Sequence, residues 1–209
     1  MRVTAETKAA TRRSLLVASR KLFRQQGFEQ TTTRDIARAA DVAHGTLFNY
    51  FADKEAVLSA VVSDAVSAAL AKFQESPPAK CSLEESLFSL VALQLRQLKT
   101  MRKLLPALVE SLLSPLAGKS DEAAMSVRLS LLDAATQLAI RHGYGELSSM
   151  ALQLLWTLFT GILIFWANDT SPKQEDTLAL IDHSLAMFVG WLDDARNTST
   201  GSKKKQRRR

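Results

Sequence analysis

The chain has 209 residues, 46% apolar and 23% charged, with eight Gly, five Pro and a single Cys; this is globular composition, and it excludes collagen-like, disulfide-framework and disordered classes. Few turn formers among abundant Ala, Leu, Gln, Lys, Arg and Glu point to an all-α protein, and Cys81 alone can close no internal disulfide and build no multi-thiolate zinc site, which suits a reducing, cytoplasmic setting. The net charge of +6 equals the six cations of residues 203–209, so residues 1–202 balance at 21 against 21, yet residues 1–56 carry ten Lys/Arg against six Asp/Glu while 57–202 carry eleven against fifteen. A basic head suited to a polyanion is followed by an acidic middle suited to something else.

In chain order, helical spacing runs from about Thr7 to Gln26, with Leu15, Ala18 and Leu22 beside Leu16, Ser19 and Phe23, and Gly27-Phe28 reads as a left-handed C-cap with its apolar contact. Thr32 with Asp35 three residues on is a capping-box-like start for a second helix whose apolar face is Ile36, Ala37 and Ala40; Asp41 marks a turn before a third helix from about Ala43 to Phe48 or Asn49. Asp53 caps a long fourth helix, Lys54 to about Gln74, closed by the linker Glu75-Ser-Pro-Pro-Ala-Lys80. Ser82 with Glu85 opens a helix to about Leu105, Pro106 resets the chain into a short helix to Leu113, and Ser120 opens another that stops at His142-Gly143.

The last two helices are Ser148 to Ala167 and Pro172 to Ala195, the second opened by Ser171-Pro-Lys-Gln174 as N-cap, first-turn proline and N3 glutamine. Nine helices result, and no strand alternation of useful length appears. Ala151 to Ala167 matches the shortest membrane spans in length, but Gln153, Thr157 and Thr160 interrupt it and no Lys/Arg flank sets an orientation, so we read a helix buried on most of its circumference and expect no membrane partner. The N-terminus has no uninterrupted apolar run of the secretory kind.

Residues Thr33 to Phe51 carry the one motif with a function: two short helices about a tight turn, with Ile36, Ala37, Val42 and Leu47 as the packing set, form the helix-turn-helix pattern. Arg34, Arg38, His44, Thr46, Asn49 and Tyr50 remain for solvent, a donor set suited to phosphates and base edges, and small Gly45 lets the backbone of the second helix come close to DNA. Gly27-Phe28, Thr-Thr-Thr-Arg-Asp-Ile-Ala, and Gly45-Thr-Leu-Phe-x-Tyr50-Phe51-x-x-Lys54-Glu55 together resemble the tetracycline-repressor (TetR) family of bacterial transcription regulators over about residues 8–58. The resemblance implies that Thr33 and Arg34 open the positioning helix against the DNA backbone. It places His44, Gly45, Thr46 and Asn49 in the major groove, with Tyr50 and Lys54 on phosphates. Phe48 stands where the family often has Tyr, so ring packing or van der Waals contact replaces a hydroxyl there. Asp41 stands where the turn commonly has Gly, and Asp tolerates a left-handed backbone better than most residues.

Other motifs fail. Gly118-Lys119-Ser120 lacks the first glycine of a phosphate-binding loop, Gly143-Tyr-Gly145 has no preceding strand, and His44, His142 and His183 have no metal-ligand spacing. No nucleophile pairs with a base, so we expect neither an enzyme nor a metal or cofactor. Cys81 beside Lys80 is a weak redox-sensor candidate.

The expected layout is an all-α, nine-helix, TetR-like fold: a helix-turn-helix domain at 1–54, a helical ligand-binding and dimerisation domain at 55–197, and a disordered basic tail at 198–209 that could add phosphate contacts. One recognition helix reads only a few base pairs, so a homodimer spanning two half-sites about 34–36 Å apart is expected. Gly161, Ile164, Leu178, Ile181, Leu185 and Phe188 on the last two helices are the candidate interface. By resemblance, a small molecule among the middle helices moves the fourth helix as a lever. Phe88, Leu95, Met101, Met125, Trp156 and Phe159 are candidate pocket residues, with Gln94, Arg96, Gln97 and Gln137 as polar contacts, and their low charge favours an apolar or aromatic effector. The function expected is a repressor of a palindromic operator; the alternatives are a helical ligand-binding or scaffold protein with only nonspecific DNA affinity, and an enzyme built on helices.

Overall fold

The computed structural model describes residues 4–75, 81–104 and 122–206. Among these residues there are eight α-helices and no strand: α1 Ala5–Gln26, α2 Thr33–Ala39, α3 His44–Phe48, α4 Lys54–Glu75, α5 Leu83–Leu98, α6 Glu122–Arg141, α7 Ser149–Asn168 and α8 Glu175–Gln206. Two short 3₁₀ segments, Lys99–Leu104 and Pro172–Gln174, follow α5 and precede α8. The linker over 76–80, the short helix expected from Pro106 to Leu113 and the Gly118-Lys119-Ser120 motif lie outside the described residues.

Local signals set most helix starts. The Thr32–Asp35 capping box forms reciprocally, and Ser82–Glu85 forms a second. Asp53 accepts from the Ala56 amide and Ser148 from the Ala151 amide. Gly143, at φ 77°, ends α6 with paired bonds from Gly143 to Ile140 and from Tyr144 to Ala139, the Schellman arrangement.

Three expectations need correction. The helix read to Leu105 tightens to 3₁₀ after Leu98. The last helix starts at Glu175 and continues to Gln206, past the expected end at Ala195 and through much of the segment expected to be a disordered tail; Lys is a good helix former, and cations near a helix C-terminus oppose its dipole favourably. Ser171 stands as N-cap with Pro172 after it as predicted, and its hydroxyl accepts from the Asp176 amide, but Gln174 does not complete the pair. Gln174 and Lys173 take positive φ, while the carboxylate of Asp169 accepts from the Ser171 and Thr177 amides and from the Thr177 hydroxyl, tying the end of α7 to the first turn of α8.

The chain divides into two compact units, Met1–Ala68 with Gln97–Val127, and Ala69–Arg96 with Arg128–Arg209. In the first, α2 packs on both α1 and α3 around Leu15, Phe23, Ile36 and Leu47, all buried, and Arg20 of α1 pairs with Asp64 of α4 at 2.6 Å. In the second, α7 packs on α8 through Leu155, Phe159, Ile181, Leu185 and Phe188, and His142 at the end of α6 bonds to Ser86 of α5 at 3.0 Å. Helix α4 belongs to both units. Among the described residues two helical stretches, 54–74 and 149–168, are long and apolar enough to cross a membrane by length and composition.

The hydrogen bonds from Ser171 and Thr177 hold the Asp169 carboxyl below the ordinary carboxylate range. Its contribution to stability is therefore full above the unfolded-state pKa of about 3.9 and is lost as pH falls toward the depressed folded value. Asp169→Asn should lower the Tm near neutral pH, with the gap between variant and parent closing below about pH 4; thermal melts followed by circular dichroism across that range check it.

Candidate nucleic-acid interface

The helix-turn-helix is set from beneath by apolar residues and from above by two polar ties. Ile36 and Ala37 of α2 and Leu47 of α3 are buried, while Val42 in the turn is half-buried. Asp41 takes φ 55°, the left-handed conformation expected of it, and the Val42 amide closes the turn on Ala37 O at 3.0 Å. Thr33, the first residue of α2, meets His44, the first residue of α3, through Oγ1 and Nε2 at 3.0 Å. The edge of the His44 ring then packs on Phe48, with centroids 5.0 Å apart and planes at 76°. Both ends of α3 are thereby referred to one histidine.

Around this frame Arg34, Gly45, Phe48 and Asn49 are exposed, and Thr46 and Tyr50 are half-buried. Phe48, 46% exposed, is an apolar group standing among polar ones. A Cβ built on Gly45 would touch nothing within 4 Å, so nothing among the described residues requires glycine there. Hydrogen bonds from Thr32 lower the Asp35 carboxyl pKa and hold the anion in the cap, where its other oxygen lies 3.9 Å from the exposed guanidinium of Arg38.

Lys54, expected on a phosphate, is engaged within the unit. Its Nζ donates to Phe28 O at 2.9 Å and lies 4.1 Å from the Phe28 ring centroid. Phe28 follows Gly27, whose φ of 83° and ψ of 168° form a conformation open essentially to glycine alone, and packs on Phe23 at 5.5 Å. The expected C-cap at Gly27 is thus present with positive φ, in a more extended form than the left-handed helix. This partnership spans 26 residues, and no local pattern announces it.

The candidate pocket residues are drawn from both units. Phe88, Leu95, Trp156 and Phe159 belong to the second unit, and Trp156 stacks near Phe159 with centroids 5.8 Å apart. Met101 and Met125 belong to the first, and Met125 is exposed. Of the polar candidates, Gln94 is buried, Gln97 half-buried, and Arg96 and Gln137 exposed. The candidate dimer residues also divide. Ile181, Leu185 and Phe188 are at most 1% exposed inside a single chain, so they serve the α7–α8 core and are unavailable to a second copy, whereas Gly161, Ile164 and Leu178 are exposed. Period alone cannot tell burial within a chain from burial between chains. On α7, which carries no charged residue, the expected Gly161 and Ile164 lie on an exposed stripe that Met150, Thr157 and Asn168 extend, with Phe165 at its edge.

Comparison with known proteins agrees with this anatomy. The model of bacterial regulatory proteins of the tetR family matches residues 15–61, and that of the tetracyclin repressor-like C-terminal domain matches 95–200. The chain belongs to the TetR family. The HTH-type transcriptional regulator UidR of Escherichia coli is 34% identical over 65 residues, 31% of this chain and 33% of that protein. The HTH-type transcriptional repressor KstR2 of Rhodococcus jostii is 32% identical over 68 residues, 32% of this chain and 33% of that protein. The matched stretch thus spans about one third of the length of these curated relatives. In fold, this TetR-family chain is similar to a TetR regulator from Rhodococcus sp. RHA1, with TM-score 0.69 and 19% identity over 88% of this chain and 98% of that one. It is also similar to Thermus thermophilus FadR in complex with lauroyl-CoA, with TM-score 0.67 and 24% identity over 85% and 93%.

Lys54→Met keeps most of the stem but removes the donor to Phe28 O and the cation over its ring, and should cost about 1–2 kcal/mol. Urea denaturation checks this; an unchanged midpoint would return the ammonium to solvent and to a phosphate.

Proposed function

We propose that this chain is a homodimeric, sequence-specific DNA-binding repressor that leaves a palindromic operator when a small lipophilic effector binds. The observation that carries the reading is Gly45: a glycine in a five-residue helix costs about 1 kcal/mol relative to alanine, and no neighbour in the chain needs the space, so the demand comes from a surface outside it. A major-groove edge pressed against α3 supplies that demand. In this reading Thr46, Phe48 and Asn49 face bases. Thr33, Arg34 and Tyr50 meet phosphates, and His44 holds α3 at its angle while its remaining ring nitrogen faces the groove.

Dimerisation through α7 follows from the uncharged stripe, since an exposed apolar face of this extent is unusual on a monomer, and Gly161 admits close approach because its own chain leaves that side open. Helix α4 provides the link for release, being shared by the two units and tied to α1 by Arg20–Asp64. That a neighbour in fold binds lauroyl-CoA supports a lipophilic effector, and the cytoplasm is the fitting compartment. A helical scaffold with only nonspecific DNA affinity remains the second reading, favoured by the basic run at 203–209.

Selection of sites from random DNA, with the full chain and with a chain ending at Ser202, tests the proposal. A two-fold symmetric site that survives salt in both supports operator reading, whereas binding that is lost with the tail or at modest salt moves the scaffold reading ahead. On the selected site, Gly45→Ala should raise protein stability by about 0.5–1 kcal/mol while weakening operator affinity at least tenfold; equal affinity removes Gly45 from the contact. Gly161→Arg should sediment as a monomer with its helical signal intact, and a persistent dimer would move the interface away from α7.

A further inference from the structure

Gln94 lies on α5, where its buried neighbours one turn away are Leu90, Val91 and Leu98. The residue is 1% exposed, and neither Oε1 nor Nε2 has a hydrogen-bond partner; among the described residues no other buried side-chain nitrogen or oxygen is left this way. An amide closed off with donor and acceptor both unanswered is a standing cost, and native proteins satisfy the great majority of such groups. A lone water does not resolve it, because a buried water needs two to four polar partners. The buried neighbours on α5 itself are aliphatic, and Ser86, two turns back, is already bonded to Cys81 and His142.

We propose that Gln94 is the polar anchor of an effector site in the second unit, and that it takes a neutral group that both accepts and donates a hydrogen bond, an amide or a hydroxyl. This rests on reading that unit as the effector-binding one. The chemistry of the group follows from what surrounds it. Among the described residues of this unit the other buried polar side chains are Ser86, Thr160, Asp169, Thr177 and Ser184, and no Lys, Arg or His is buried. A carboxylate brought to Gln94 would find one donor and no counter-charge in an apolar setting. A hydrocarbon would leave the amide as it is. A group with one donor and one acceptor matches both amide atoms at once.

The test uses the full chain with straight-chain primary amides, alcohols, methyl esters and carboxylates in matched lengths, read by thermal shift and native mass spectrometry, on the parent and on Gln94→Met, a side chain of similar length without the amide. The parent should bind the amide and alcohol about fivefold more tightly than the ester, with the carboxylate weakest. Gln94→Met should bind amide and ester alike, and should melt higher than the parent when unliganded. Equal binding of amide and ester by the parent, the same preference in Gln94→Met, no binding of any probe by the parent, or a lower unliganded Tm in Gln94→Met would each overturn the assignment. Failure of the wider reading gives a different result: an amide that binds through Gln94 but leaves a selected operator occupied removes the release mechanism and keeps the anchor.

Discussion

A helix of five residues cannot hold itself together in water, because its nucleation cost is never recovered by so few propagating bonds. Everything that α3 does therefore depends on the burial of Leu47, the one fully buried side chain it contributes. Leu47 fixes where α3 lies, and the left-handed turn at Asp41 and the Thr33–His44 bond fix its angle. Gly45 within α3 and Asn49 at its end are then exposed without structural duty, and their chemistry can be chosen for a partner. Replacing Leu47 by Ala would leave a cavity and remove the reason for α3 to exist, while replacing Asn49 would leave the frame intact.

The second unit obeys a different constraint. Helix α7 has no charge anywhere along it, so every face must be covered by something apolar or neutral. One side is covered by α8, whose register Asp169 sets by holding the amides and hydroxyl that open it. The opposite side is left to solvent in the single chain. One carboxylate fixes the corner of the α7–α8 pair, and the exposed face of α7 is the one the proposed dimer would cover.

The parts of this fold that are legible in sequence are those decided within a few residues. Both capping boxes, the break at Gly27, the strained turn at Asp41 and the stop at Gly143 each depend on a residue type at a fixed short offset, and each is found where the pattern puts it. The packing set of the helix-turn-helix is legible too, since Ile36, Ala37 and Leu47 follow helical period. What is not legible depends on partners far along the chain. Lys54 reads as a surface cation until Phe28 is brought beneath it. Ser171 reads as the whole cap, while Asp169 from the end of α7 takes the Thr177 amide beside it, and Ile181, Leu185 and Phe188 read as an interface although they are buried within the single chain. Gln94 shows the limit most clearly: in sequence it is one of four polar pocket candidates with nothing to rank them, and only burial sets its unanswered amide apart from exposed Arg96 and Gln137.

The chargeless stripe on α7 also bears on how much of the protein a cell can hold in working form. Where folding of each copy is completed by its twin, stability rises with the number of copies present. Sparse subunits would expose Met150 at 68% of its surface, together with Ile164 and Phe165, and become substrates for quality-control proteases, while abundant ones shelter each other. Under the proposed pairing through α7, the chain would carry its own abundance threshold: a few molecules would decay as fast as they are made, and only above the pairing concentration would a lasting population accumulate.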